Sequence, residues 1–328
     1  MRIIHDFREL REPPAASVVT IGNFDGVHLA HQQLLRRVVE QARVFHAVPT
    51  AVTFEPHPIK FLSPQRGLKL LTPFKRKMQL MEQLGIELSV VLPFTRELAH
   101  LSALEFVRKI LVAALRTVSV HVGPNFRFGY RQAGDTFVLG LLARQDGFRL
   151  EVQPLLTIRG ERVSSTRIRE LLAAGRVDIA NRLLGRPFSL SGPIVAGLGV
   201  GHKHTVPTLN LAPVEEQTPK IGVYVTRTRL AGKLHESVTN VGHRPTFGDH
   251  DLTVESFLLE LAGEINESEM EIEFLYRLRE EIKYQNPALL KVQILDDARR
   301  SLKFFRLLRM FSQRGTQQPV SDHPDSRQ

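Results

Sequence analysis

Short apolar runs alternate with amphipathic stretches through the first half of the chain, and the rhythm changes near residue 187. Residues 17–21 are apolar and β-branched, the texture of a buried strand. After a Gly-containing turn, Leu34, Leu35, Val38 and Val39 fall on one side of a helical wheel and Gln32, Gln33, Arg36, Arg37 and Glu40 on the other. Further strands are expected at residues 50–54, 88–92, 118–122 and 148–152, with Ile3 and Ile4 on an edge strand. Between them the pattern predicts a helix capped by Thr72, with Pro73 at its first position and Gly85 as its stop. A second helix starts at Ser102 and reaches Ala114, with Phe106, Val107, Ile110 and Leu111 on its apolar face. Others start at Asp135-Thr136, at a cap on Ser165 or Thr166, and at Val177. Residues 59–71 and 94–98 read as loops. Strand and helix in alternation predict an α/β domain with a parallel sheet.

Beyond Gly185-Arg186-Pro187 helical periodicity disappears until about residue 287. Alternating or β-branched runs at residues 188–196, 221–230, 235–241, 253–260 and 271–274, separated by Gly, Pro and Asn, predict a small barrel. Pro287 precedes a helix with Leu289, Leu290, Ile294 and Leu295, extending towards Leu308. The last residues are rich in Ser, Gln, Pro and Gly and have little to bury, which is the composition of disorder. The expected domains are therefore 1–186 and 187–310, with a disordered tail at 311–328.

Composition narrows the classes. The 328 residues are 42% hydrophobic, enough for two cores, and no run of 18 apolar residues exists to span a membrane. Asp6, Glu9 and Glu12 interrupt any N-terminal leader, so the cytoplasm is the expected compartment. Zero cysteines exclude disulfides and thiol chemistry. A formal charge of +10 favours anionic partners such as nucleotides and phosphates. Lys and Arg are scattered, and residues 126–131 give only a weak nucleic-acid signal, so nucleic acid is not expected. Self-association is left open.

The chemistry-bearing residues sit at strand ends. Gly22 and Gly26 permit tight backbone, and His28 and His31 share one face of a helix's first turn, beside unpaired N–H groups. That arrangement suits a phosphate chain, or is a pair of surface histidines on an ordinary turn. Zinc is not expected, because further ligands are lacking. His57 lies in Glu55-Pro56-His57-Pro58 after the next strand. Asn125, Phe126, Arg127 and Phe128 follow another; the two aromatics flank a flat ligand or form a packed corner. Hydroxyls and arginines in residues 164–169 form an anion site or a plain helix cap. In the second half, Gly197, Gly199 and Gly201 precede His202-Lys203 without matching a Walker loop or a dinucleotide fingerprint.

Residues 22–31, Gly-Asn-Phe-Asp-Gly-Val-His-Leu-Ala-His, resemble the Gly-x-Phe-Asp-Gly-x-His-x-Gly-His signature of nucleotidyltransferases. The variant is that of bacterial bifunctional riboflavin kinase/FAD synthetases, with Ala30 in place of the usual Gly. The stretches around His57, at residues 122–129 and at residues 163–169 are similar to further motifs of that family. The resemblance implies a Rossmann-like FMN adenylyltransferase domain followed by a riboflavin-kinase-like β-barrel. It casts His28 and His31 as holders of the ATP phosphates and Gly22, Asn23, Phe24 and Asp25 as shapers of the nucleotide site. By the same resemblance His57, Asn125 and Arg127 are substrate contacts, Ser165, Thr166 and Arg167 clamp phosphates from the opposite side, and Arg169 supports its helix.

In the second half Pro207-Thr208-Leu209-Asn210, residues 240–247 and Thr253-Val254-Glu255 resemble riboflavin kinase motifs. They imply Thr208 and Asn210 at magnesium, Glu255 as general base, and Gly199, Gly201, Lys203 and Asn240 as binding residues. ATP and Mg2+ are the implied cofactors, with riboflavin, FMN and FAD as substrates or products. His202, His204, Thr205, Val206 and Leu209 depart from the kinase pattern. An FAD synthetase with a weak or inactive kinase-like barrel is therefore the alternative, and a flavin- or nucleotide-binding regulator a further one.

Overall fold

The computed structural model describes residues 1–195, 208–243, 252–260, 267–282, 284 and 286–315. The chain divides into two compact units. The first holds Met1–Glu170, Arg182–Arg186 and Glu215–Gln217; the second is built from Leu171–Asn181, Pro187–Val214 and the described residues from Thr218 onward.

The first unit contains β1 (Arg2–Ile4), β2 (Ser17–Ile21), α1 (Leu29–Phe45), β3 (Val48–Glu55), α2 (Pro58–Leu62), α3 (Phe74–Gln83) and β4 (Leu88–Pro93). There follow α4 (Arg96–His100), α5 (Ala103–Phe106), β5 (Thr117–Val122), α6 (Thr136–Asp146), β6 (Arg149–Val152), and the small hairpin β7 (Thr157–Ile158) and β8 (Glu161–Arg162). Helices α7 (Ser165–Ala173) and α8 (Val177–Leu184) carry the chain across the division. Six strands form one sheet in the order β1-β4-β3-β2-β5-β6, all parallel.

Both sheet faces are buried, as a parallel sheet requires. Val19, Ile21, Val52, Val90, Val120 and Val122 pack with Phe106, Ile110, Leu111 and Leu139 on one side. Val18, Ala51 and Val91 pack with Leu34, Leu35, Val38, Met78 and Met81 on the other. The strand order reverses across β2, whose neighbours are β3 and β5. Ligands of open α/β sheets bind outside the carboxyl ends of strands at such a switch point.

Three local expectations are corrected. Helices α2 and α4 occupy stretches that read as loops, because single turns of five residues lack the length for a visible period. Thr72 is not the cap of α3: the helix begins at Phe74, Pro73 holds the cap position with no side-chain bond, and Thr72 is buried. Ser102 does cap its helix, in a reciprocal capping box with Glu105, but after α5 the chain widens to π geometry over Val107–Ala114.

The second unit is a closed barrel of β9 (Phe188–Val195), β10 (Leu209–Leu211), β11 (Gly222–Leu230), β12 (Lys233–His243), β13 (Leu252–Leu258) and β14 (Glu269–Arg279), in the order β10-β13-β12-β11-β14-β9. Strand β10 was not legible as a strand, and β14 is longer than its apolar run. Tyr224 and Phe274 meet edge to face at 5.4 Å. Beside them Thr226, Thr228, Ser237, Thr239 and Ser256, all wholly buried, bond to one another at 2.7–3.2 Å, which satisfies hydroxyls that would be costly alone. Helix α9 (Pro287–Gly315) packs on β12 and runs into the stretch read as a tail. The rest of that stretch lies outside the described residues.

Asp297 pins α9 to the barrel. It is 1% exposed, takes bonds from Arg279 Nε and Nη2 at 2.7–3.1 Å and a further one from Gln293 Nε2 at 3.1 Å. Asp297→Ala removes the charged partner of the half-buried Arg279 guanidinium, so a loss of about 1.5–3 kcal/mol in the unfolding free energy is expected by urea titration. An unchanged urea midpoint would show that the pair contributes nothing.

Candidate active sites

The first site grows from the loop between β2 and α1. Gly22 N–H donates to Val52 O at 3.0 Å, and Phe24, Gly26 and Val27 all take positive φ, at 49°, 84° and 38°. Side chains on several segments hold this unusual backbone. Arg186 donates to the carbonyls of Gly26 at 2.6 Å and Val27 at 3.2 Å, and Gln32 Nε2 donates to Val27 O at 2.9 Å. Asp25 is buried, accepts Leu71 N–H at 2.9 Å and pairs with Arg169, while Ser165 Oγ donates to Asp25 O at 2.9 Å. Asp25 and Arg169 thus fasten loop to helix: burial pushes the Asp25 pKa up and the nearby cation opposes it.

The loop ends at His28, the N-cap of α1, whose Nδ1 accepts His31 N–H at 3.3 Å. The two imidazoles stack with centroids 3.6 Å apart, and the ring of Phe24 meets His31 edge-on at 5.2 Å. Phe24 itself is 1% exposed, so its ring is core as much as site wall. Burial pushes His28 down to about 4 and holds His31 well below the ordinary imidazole value. At neutral pH the pair is therefore uncharged and offers ring N–H donors rather than cations. The Nδ1 atom of His31 is buried without a protein partner among the described residues.

Other predicted residues come from neighbouring strand ends. His57 follows β3 and caps α2, accepting Ile59 N–H at 3.2 Å, with its pKa pushed down to about 4, first by burial and then by Arg169, Lys77 and Lys60. Asn125 and Arg127 are exposed beyond β5, and Arg127 pairs with Asp135 at 2.8 Å. Phe126 and Phe128 stack on each other at 5.3 Å and Phe128 packs on Phe106, so they build the packed corner. The cap of α7 is Ser164, which accepts Arg167 N–H at 3.2 Å, and neither Ser165 nor Thr166, because the helix already begins at Ser165. Arg167 is engaged by Glu161 at 2.7 Å and Glu170 at 3.1 Å. Arg127 and Arg167, both expected at phosphates, each hold a carboxylate in this structure.

Lys77 went unnoticed in the sequence. It lies at the i+3 position of the stripe Phe74, Met78, Met81 on α3, and a lysine on an apolar stripe was the signal. The residue is 6% exposed, and its Nζ lies 3.2 Å from Thr53 Oγ1 and 3.4 Å from Asn23 O.

Stability of the first unit should depend on these histidines. Unfolded, His28 and His57 titrate near 6.5; folded, near 4. Between those values the unfolded chain binds protons that the native state refuses, so stability falls as pH falls. Asp25, with its raised pKa, works in the opposite direction. A net loss on the order of a few kcal/mol between pH 7 and 4.5 is expected in urea titrations. A flat profile would contradict the burial of neutral imidazoles.

The second site lies on the barrel. Register places Asn210 of β10 opposite Glu255 of β13, and Glu255 opposite Asn240 of β12. Residues paired directly across antiparallel strands share a face, so the three form one row. Asn210 is buried and Glu255 half-buried, and Asn240 Nδ2 donates to Glu281 Oε1 at 3.4 Å. Thr208 is exposed immediately before β10. Gly199, Gly201 and Lys203 lie outside the described residues. Among the described residues no group of three His, Asp or Glu could hold a metal ion. The hydroxyl and carboxamide oxygens of Thr208 and Asn210 are nonetheless hard donors of the kind magnesium takes. No helix among the described residues is long and apolar enough to cross a membrane.

Comparison with known proteins matches both units. Residues 10–167 match the FAD synthetase family model, and residues 184–305 the riboflavin kinase model. A bifunctional riboflavin kinase/FMN adenylyltransferase of Pseudomonas fluorescens is 35% identical over 90% of this chain and 96% of its own length. The Escherichia coli (strain K12) protein of the same description is 31% identical over 94% and 99%. A crystal structure described as a macrolide-efflux protein from Streptococcus pneumoniae has a TM-score of 0.82 and 25% identity, covering 90% of this chain and 96% of that one.

Proposed function

The chain belongs to the bifunctional riboflavin kinase/FMN adenylyltransferase family, and we propose that its two units divide the two ATP-dependent transfers between them. In the first, an FMN phosphate oxygen attacks the α-phosphorus of ATP, a P–O bond forms, and the bond to the β-phosphate breaks to release pyrophosphate. Charge grows on the departing pyrophosphate. In this reading the donors that meet it are the ring N–H groups of His28 and His31, the N-terminus of α1, and Ser165, Thr166 and Arg167 of α7, with Arg167 released from Glu161 and Glu170. Neutral imidazoles suit this role, since they donate without drawing the Asp25 carboxylate away from Arg169.

In the second unit Glu255 takes the proton of the ribityl hydroxyl as that oxygen attacks the γ-phosphorus of ATP, and ADP leaves. Thr208 and Asn210 are the residues that would hold Mg2+, which when bound offsets phosphate charge. The observation that carries the two-site reading is the row Asn210–Glu255–Asn240, because it sets a carboxylate between two amides on a single face. Leu209, which adds bulk between Thr208 and Asn210, favours the synthetase-only alternative. Flavins and ATP are the partners of this reading, in the cytoplasm, with neither membrane nor nucleic acid involved.

Product analysis tests it. Separate incubations with riboflavin, ATP and Mg2+, and with FMN, ATP and Mg2+, are expected to give FMN and FAD respectively. FAD from FMN without any FMN from riboflavin would leave only the synthetase; neither product would overturn the whole reading.

A further inference from the structure

We propose that Lys77 is a further catalytic residue of adenylyl transfer, its ammonium contacting the phosphate oxygens of bound ATP. The proposal rests on the adenylyltransferase reading above. Three observations lead to it.

The first is burial without a counter-ion. The ammonium sits on the apolar stripe of α3, with the Phe74 ring 5.5 Å away. Its hydrogen-bond partners, Thr53 Oγ1 and Asn23 O, are both neutral, and among the described residues no carboxylate lies within 4.0 Å of it. Glu55 and then Asp25 act on it from longer range, and Asp25 is already paired with Arg169. A buried ammonium without a paired anion is costly, and burial accordingly pushes the Lys77 pKa down.

The second is place. Thr53 lies near the carboxyl end of β3, and Asn23 belongs to the loop that carries His28 and His31. Thr53 Oγ1 also donates to Asn23 O, at 3.3 Å, so Lys77 and Thr53 converge on one carbonyl of that loop. Lys77 is close enough that its charge helps to depress both His31 and His57. The third is donor capacity. An ammonium has three N–H bonds, and two are accounted for by Thr53 and Asn23. A polyphosphate supplies both an acceptor for the third and the missing negative charge. Unlike Arg127 and Arg167, Lys77 has no carboxylate partner to surrender first.

The test uses the full chain, FAD formation from FMN and ATP, and inorganic tripolyphosphate as an inhibitor that reports phosphate contacts alone. Lys77→Met is expected to lower kcat by about 100-fold and to weaken tripolyphosphate inhibition by about 10-fold or more, the loss typical of a donor aimed at developing charge. Because the chain has no cysteine, Lys77→Cys introduces a single thiol. Aminoethylation of that thiol rebuilds a lysine-like ammonium and is expected to restore inhibition, whereas capping it with a neutral methylthio group is not. Lys77→Met inhibited as strongly as wild type, or equal inhibition of the aminoethylated and methylthio forms, would overturn the proposal and leave Lys77 as a brace for Asn23. Wild type that forms no FAD would overturn the adenylyltransferase reading, and this proposal with it.

Discussion

His31→Ala is expected to lower FAD formation from FMN and ATP by about 100- to 1,000-fold, the usual cost of removing one donor from a charge-stabilising set. The substitution acts at a defined place. His28 remains the cap of α1 through its own Nδ1, which accepts a backbone N–H that alanine keeps. What disappears is one imidazole of the stacked pair and the edge contact to Phe24. The lost group is neutral in the folded protein, so the defect should appear in kcat across the neutral pH range, with no recovery on acidification towards pH 6. Steady-state assays of FAD and pyrophosphate from pH 6 to 8 measure this. Undiminished FAD formation would remove His31 from the mechanism and shift the burden to the α1 N-terminus and the hydroxyls of α7.

Glu255→Gln is expected to lower FMN formation from riboflavin by about 100- to 10,000-fold, the range for loss of a positioned general base. Glutamine has nearly the same shape, and Glu255 sits mid-strand in register with Asn210 and Asn240, so the barrel should fold and bind riboflavin. FAD formation from supplied FMN should continue, which separates the two activities within one preparation. Riboflavin binding by fluorescence, alongside product analysis, distinguishes loss of chemistry from loss of the site. If Glu255→Gln turns over riboflavin at the wild-type rate, the row is a structural feature of the barrel and the base lies elsewhere.

Local signals in the sequence were sufficient for much of this protein. The parallel sheet was legible because both faces of its strands are apolar and its helices run long enough to display a period. The position of α1 followed from its amphipathic pattern, and those of α6 and α8 from start signals and glycines that act within a few residues. The barrel was legible from the loss of helical periodicity and from turn residues at short spacing. The family signature around His28 and His31 is contiguous, so no long-range contact was needed to find it.

Tertiary structure decided the rest. Which strand neighbours which cannot be read from alternation, so the row joining Asn210, Glu255 and Asn240 appears only once β10, β13 and β12 are in register. The engagement of Arg127 by Asp135, and of Arg167 by Glu161 and Glu170, depends on side-chain packing that composition does not encode. The neutrality of His28 arises from desolvation, which is a property of everything packed around it. Lys77 shows the difference most plainly. In the sequence it is one of three consecutive basic residues, Lys75, Arg76 and Lys77, each as able as the next to face water. Only the docking of α3 on the sheet buries Lys77 against Thr53 and Asn23, because a helix turns successive side chains about 100° apart, leaving Lys75 exposed and Arg76 half-buried.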